Sequence, residues 1–142
     1  MFKKILLSID LNHESSWKKA LPLAALMARD MGARRHVVMV VPDFGMSIVG
    51  NYFPEDFEET ALKEAAEKLK AFVASHVEDD VPVQVHIGHG TIYEEIIHIA
   101  DKIGCDLIVV GSHRPELQDY LLGPNAARVV RHAKQSVLVV RD

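Results

Sequence analysis

Three short stretches carry the residue types that handle anions and hydroxyl groups. Asp10 closes an apolar run, Ile5–Asp10. Gly111-Ser-His113-Arg114 follows a second run, Leu107–Val110, and eight residues separate Arg114 from Gly123-Pro124-Asn125. A glycine leaving a strand lets backbone approach a ligand. Arginine grips phosphate through two parallel hydrogen bonds, and His113 adds a further donor. A helix opening at Gly123-Pro124 offers free N–H groups and the positive end of its dipole. Asp10 is suited to accept from a ribose hydroxyl or an adenine amine. The same residues also suit plain turns with a solvated Arg114, and the residues alone leave both readings open.

Other reactive side chains read as structural. His86 and His89, three apart on a strand, point to opposite faces and are expected to be surface residues rather than a metal pair. His98 falls on a helix surface. Cys105 has no general base nearby in sequence and reads as a small buried residue. Trp17 fits a core stripe. Arg128, Arg131, His132 and Lys134 gather near a helix C-terminus, where cations suit the dipole. The chain has no Walker A loop, so a P-loop NTPase is not expected.

These residues need a scaffold, and the apolar pattern supplies it. Five short β-rich runs stand at Ile5–Asp10, His36–Val41, Val83–Ile87, Leu107–Val110 and Val137–Val140. The first, second and fourth are apolar on both faces, as strands covered on both sides must be. The third alternates and reads as an edge. Four helices are predicted between the runs. The first places Trp17, Leu21, Ala24, Ala28 and Met31 on one face and stops at Gly32; because of Pro22 it either begins near Ala20 or bends there. The second runs from about Asp56 and buries Leu62, Ala66, Leu69 and Val73. The third opens on a capping box, Thr91-Ile-Tyr-Glu94, and ends at Gly104. The last follows Gly123-Pro124 and turns Ala126, Val129, Val130 and Ala133 inward. Strand and helix alternating throughout predicts one α/β domain over residues 1–142, with a parallel sheet and right-handed crossovers. The one long irregular stretch, residues 42–55, is apolar and aromatic and suits either a lid or a loop packed on its own domain.

Composition narrows the class. The 142 residues are 49% hydrophobic and 25% charged, which excludes a disordered chain. Sixteen Lys and Arg against twenty Asp and Glu leave a net charge of −4, so nucleic acid is not an expected partner. No run reaches the length of a membrane span, and no membrane insertion is expected. A single cysteine allows no internal disulfide and suits the reducing cytoplasm.

The segment GSHRPELQDYLLGPNAARVVRHAKQSVLVVRD resembles the C-terminal signature of the universal stress protein family. KKILLSID is similar to that family's opening strand, VVMVVP to its second, and GTIYEEIIHIADKIGCDLIVVGSHR to the stretch leading into the motif. The resemblance covers the whole chain. It implies a Rossmann-like five-stranded parallel sheet, in the order 3-2-1-4-5 with helices on both faces.

The resemblance also implies a ligand, ATP or a related adenine nucleotide (ADP or AMP), with Mg2+ as an accompanying cation. Asp10 and Val40 match the positions that hold the nucleoside. Val110 and Gly111 match the turn beside ribose and phosphates, while His113, Arg114, Gly123, Pro124 and Asn125 fall in the phosphate loop and at the helix start. Arg114 stands where the family has a second glycine. Pro124 replaces a Ser or Thr and removes a hydroxyl and an N–H, which bears on triphosphate affinity. The family further implies a homodimer paired through Val137–Val140, with no catalytic residue or metal ligand assigned. The expected function is thus a cytoplasmic nucleotide-binding regulator of the stress response. The alternatives are a stress protein that works only through its dimer surface, or a slow ATPase.

Overall fold

The protein, a computed structural model, is described over residues 1–42, 57–112 and 124–141. Strands β1 (Lys4–Ser8), β2 (Arg34–Pro42), β3 (Val83–Gly90), β4 (Leu107–Ser112) and β5 (Ser136–Arg141) alternate with helices α1 (Ala20–Met31), α2 (Phe57–His76), α3 (Ile92–Ile103) and α4 (Pro124–His132). All pairings are parallel, and the sheet order is β3-β2-β1-β4-β5. The expected order is therefore observed, with the alternating β3 at one edge and β5 at the other.

Alternation along the strands divides the core into two layers. Ile5, Leu7, Ile9, Val37, Leu107 and Val109 point to one face and meet Leu21, Ala24 and Ala28 of α1 and Leu69 and Val73 of α2. Leu6, Val38, Ile108 and Val110 point to the other and meet Ile96, Ile99 and Ala100 of α3 and Ala126 and Val129 of α4. Leu6, Val38 and Ile108 are wholly removed from solvent. Burial of each such side chain contributes roughly 1.5–3 kcal/mol.

Several local readings are sharpened. α1 begins at Ala20, the first of the two expectations, and Pro22 lies in its first turn, where a missing N–H breaks no helical bond and no bend is needed. Trp17 precedes α1 and packs edge-on against Phe72, at 4.8 Å between ring centres, and against His76. The second helix opens at Phe57; the predicted start, Asp56, lies outside the described residues, and Leu62 and Ala66 are only half-buried. Thr91 caps α3 without a side-chain bond, contrary to the expected capping box. Glu94 instead accepts from the Tyr93 hydroxyl at 3.2 Å, which draws away the group that box needs. Val130 is 46% exposed, so the inward face of α4 is narrower than predicted. Gly32 and Gly104 close α1 and α3 in the left-handed conformation, with φ of 65° and 69°.

Polar clamps fix the amino ends of the strands. The Asp106 carboxylate accepts from the backbone N–H groups of Lys3 (2.9 Å) and Lys4 (3.0 Å), and Lys4 Nζ donates to the Ile103 carbonyl at 2.9 Å. Buried Arg35 donates through both terminal nitrogens to Asp79 and through Nη2 to the Ala25 carbonyl at 2.7 Å. Those bonds tie β2 to α1 and to the turn before β3. Cys105 is buried two residues before β4, and burial, with Asp106 and Asp101 nearby, pushes its thiol up to about 11. Thiolate is the reactive form, so Cys105 is expected to resist iodoacetamide in the folded chain and to label fully only in denaturant. Mass spectrometry of the alkylated protein checks this.

Candidate functional site

The carboxyl ends of β1, β2 and β4 lie at the switch point of the sheet, where β1 pairs with β2 on one side and β4 on the other. The cleft there is lined by Asp10, Val40, Val110, Gly111, Pro124 and Asn125. Six of the nine residues singled out in the sequence are thus brought together. His113, Arg114 and Gly123 lie outside the described residues. The long segment after Pro42, considered above as a lid, also lies outside them, apart from Pro42 itself.

Among the described residues, one wall is a strand edge that β1 leaves unpaired. Pairing of β1 with β2 ends at Ser8 and Val38, and the last bond runs from the Ile9 N–H to the Val38 carbonyl at 2.9 Å. Backbone groups of alternate residues in a strand point the same way. The N–H and C=O of Val40, two residues on, therefore face the space that β1 has left. A donor and an acceptor side by side on a strand edge form a hydrogen-bonding fork.

The second wall is the turn after β1, which is tightly organised. Asp10 lies in this turn, two residues beyond the end of β1. Its N–H donates to Ser16 Oγ at 2.9 Å, and the hydroxyl lies 2.9 Å from the Asp10 carbonyl and 2.8 Å from that of His13. Asp10 Oδ1 accepts from the Asn12 N–H at 2.9 Å, and Oδ2 lies 2.7 Å from His13 Nδ1. Ser16, 6% exposed, ends a short 3-10 helix (Glu14–Ser16) that packs against β4.

Gly111 has a reason beyond the one expected from sequence. A Cβ there would stand 2.6 Å from the Ser16 carbonyl oxygen and 3.0 Å from that of Ser15. Protein backbone already approaches this glycine closely, before any ligand does.

The third wall comes from α3 and α4. Ile92, Ile96 and Ala126 supply apolar surface. The amino end of α4 points into the cleft with Pro124 at its first position, so the donors of that turn begin at Asn125. Such an arrangement can take a flat polar-edged ring against the strand fork and an anion at the helix end.

The chain matches the Universal stress protein family over residues 1–141. It belongs to that family. Universal stress protein G of Shigella flexneri is 34% identical, the match covering 99% of this chain and all of that protein. A crystal structure of a universal stress protein in complex with cAMP is 24% identical with a TM-score of 0.61, covering 99% of this chain and 97% of that one. A universal stress protein family protein from Arabidopsis thaliana with AMP bound is 21% identical with a TM-score of 0.68, over 98% and 91% of the two chains. At these identities the likeness of the two structures is one of fold.

Other groups went unrecognised in the sequence. Ser16, six residues after Asp10, has no signal that marks it as the lock of the turn. His86 and His89 do point to opposite faces, yet neither is a plain surface residue. His89 Nδ1 lies 2.9 Å from Glu58 Oε1. His86 Nε2 lies 2.9 Å from Nδ1 of buried His36, with the two rings stacked at 5.2 Å. Their register across β2 and β3 makes the pair, and register is not written in either strand alone. Among the described residues, no cluster of three or more His, Cys, Asp or Glu is placed to hold a metal ion. Among them too, no helix is long and apolar enough to cross a membrane.

Proposed function

We propose that this universal stress protein family member binds an adenine nucleotide in the switch-point cleft and acts as a regulator rather than as an efficient enzyme. The observation that carries this reading is the open fork of Val40. Its N–H and C=O match the ring nitrogen and exocyclic amine that adenine presents along one edge. Asp10, on the opposite wall, suits a ribose hydroxyl or the adenine amine. The amino end of α4, with Asn125 as its first donor, suits the phosphates. By resemblance His113, Arg114 and Gly123 complete the phosphate loop, and Val110 and Gly111 lie beside the ribose. The binding of cAMP and of AMP by two proteins of the same fold supports the class of ligand. Mg2+ accompanying ATP would be held by the phosphates, with no protein ligand assigned. The proposal includes one domain over residues 1–142, a homodimer through Val137–Val140 on the edge strand β5, and action in the cytoplasm.

Calorimetric titration with ATP, ADP and AMP, with and without Mg2+, tests the reading on protein shown to be free of nucleotide. Micromolar binding is expected, weakened about tenfold by Asp10→Ala, a change that removes one hydrogen bond to a charged group. Pro124 favours a second reading, a family member that works through its dimer surface alone, because it lacks an N–H at the helix start. That reading predicts no heat with any of the three nucleotides.

A further inference from the structure

We infer that His13 is a positioning residue of the cleft, one that sets the orientation of the Asp10 carboxylate; the inference rests on the nucleotide reading above. Asp10 lies in a turn and has no strand neighbour to hold its side chain. Among the described residues, two contacts hold it instead. The Asn12 N–H binds Oδ1 at 2.9 Å, and His13 Nδ1 stands 2.7 Å from Oδ2. An ionised carboxylate only accepts, so Nδ1 carries the proton in this pair.

His13 is itself held through both of its backbone polar groups. Its N–H donates to the Asp10 carbonyl at 3.1 Å, and its carbonyl accepts from the Ser16 N–H at 3.0 Å. The imidazole thus approaches Asp10 from a backbone that the buried Ser16 holds in place. Each carboxylate oxygen keeps a further acceptor direction, which leaves Asp10 able to take a hydroxyl or amine. The two side chains are 55% and 44% exposed, so their attraction alone is weak. What the pair supplies is one carboxylate orientation chosen before a ligand arrives.

AMP is the probe, because it carries the nucleoside and lacks the outer phosphates. His13→Ala is expected to weaken AMP binding roughly fivefold, the scale of an exposed charged contact. His13→Asn places Nδ2 where Nδ1 stood and should stay within about twofold of the unaltered chain, whereas His13→Gln, with its amide one atom further out, should follow the alanine variant. In an Asp10→Ala background, His13→Ala should change nothing more. A nitrogen–proton correlation spectrum without ligand should show the proton of the neutral ring on Nδ1. Unchanged AMP affinity in His13→Ala, alongside weakened binding in Asp10→Ala, overturns the inference and leaves the site reading intact. Equal losses from His13→Ala with and without Asp10 overturn it as well. Failure of the unaltered chain to bind any of the three nucleotides overturns the site reading and this inference with it.

Discussion

Gly111→Ala is expected to lower stability by about 2 kcal/mol, the scale of overpacking in a close-packed interior, and to weaken nucleotide binding with it. The added methyl meets the carbonyl oxygens of Ser16 and Ser15 and the carbonyl carbon of Ser16, all of them backbone. No rotamer change relieves such contacts. β4 has little room to yield, because Gly111 pairs with Val140 of β5 and the strand packs on both layers of the core. The turn after β1 must move instead, and with it the Ser16 hydroxyl that holds Asp10. Gly88→Ala is the control. There the nearest atoms are Glu95 Cβ at 3.0 Å, which moves only with α3, and Ile99 Cδ1 at 3.3 Å, which can swing away, so a shift of a few tenths of an ångström suffices. Its cost should be the smaller, about 1 kcal/mol. Urea midpoints for both variants, with AMP titrations beside them, check the pair of expectations. Equal losses in the two would show that the approach of the turn to β4 is not what demands a glycine.

Acidification is expected to lower the protein's stability in two stages, the first set by the His36–His86 pair. Burial, then His86 itself and the charges of Lys4 and Arg34, hold His36 at about 4 instead of 6.5. Burial, then Lys102, also depress His86. Both rings are therefore kept neutral in the fold, while the unfolded chain takes up protons first. The sign follows directly: stability is full above 6.5, declines as the pH falls below that value, and bottoms out near 4. The loss is of the order of 2 kcal/mol.

Asp79 and Asp106 act only at lower pH. The Arg35 guanidinium holds Asp79 below its ordinary 3.8. Burial would raise Asp106, but the N–H groups of Lys4 and Lys3 more than offset it. Their stabilising effect is present above 3.8 and disappears below it. Replacing both histidines (His36→Val with His86→Val) leaves no stranded ring and should abolish the first stage while sparing the second. Urea midpoints measured from about pH 7 down to about pH 3 separate the two stages. A midpoint that stays flat until the carboxylates titrate would count against the histidine pair.

The architecture was legible because local patterns and global fold agree. Apolar runs such as Ile5–Ile9 and Val37–Val41 admit only a strand covered on both sides, and α3 repeats its isoleucines at helical spacing. The place of the cleft was legible from topology, since a parallel sheet opens beyond its carboxyl ends. Contacts set by register were not legible. Nothing in β2 announces that His36 will meet His86, or that Arg35 will reach Asp79 across 44 residues. The turn after β1 was missed for a related reason. Its order comes from one serine hydroxyl bridging Asp10 and His13, and a lone serine in a polar stretch reads as any solvated turn residue.

The division of the core into two layers separates what the protein recognises from what keeps it folded. Val40, Ile92, Ile96, Val110 and Ala126 shape the cleft and belong to the α3–α4 layer, Ile9 being the exception among the apolar lining residues. The α1–α2 layer, around Leu21, Ala24, Leu69 and Val73, packs on the opposite face of the sheet. Exchanges at distant, unshared positions combine nearly additively. Ligand preference can therefore drift through substitutions on one side while the other absorbs their cost, and a lineage can change what it senses without rebuilding its scaffold.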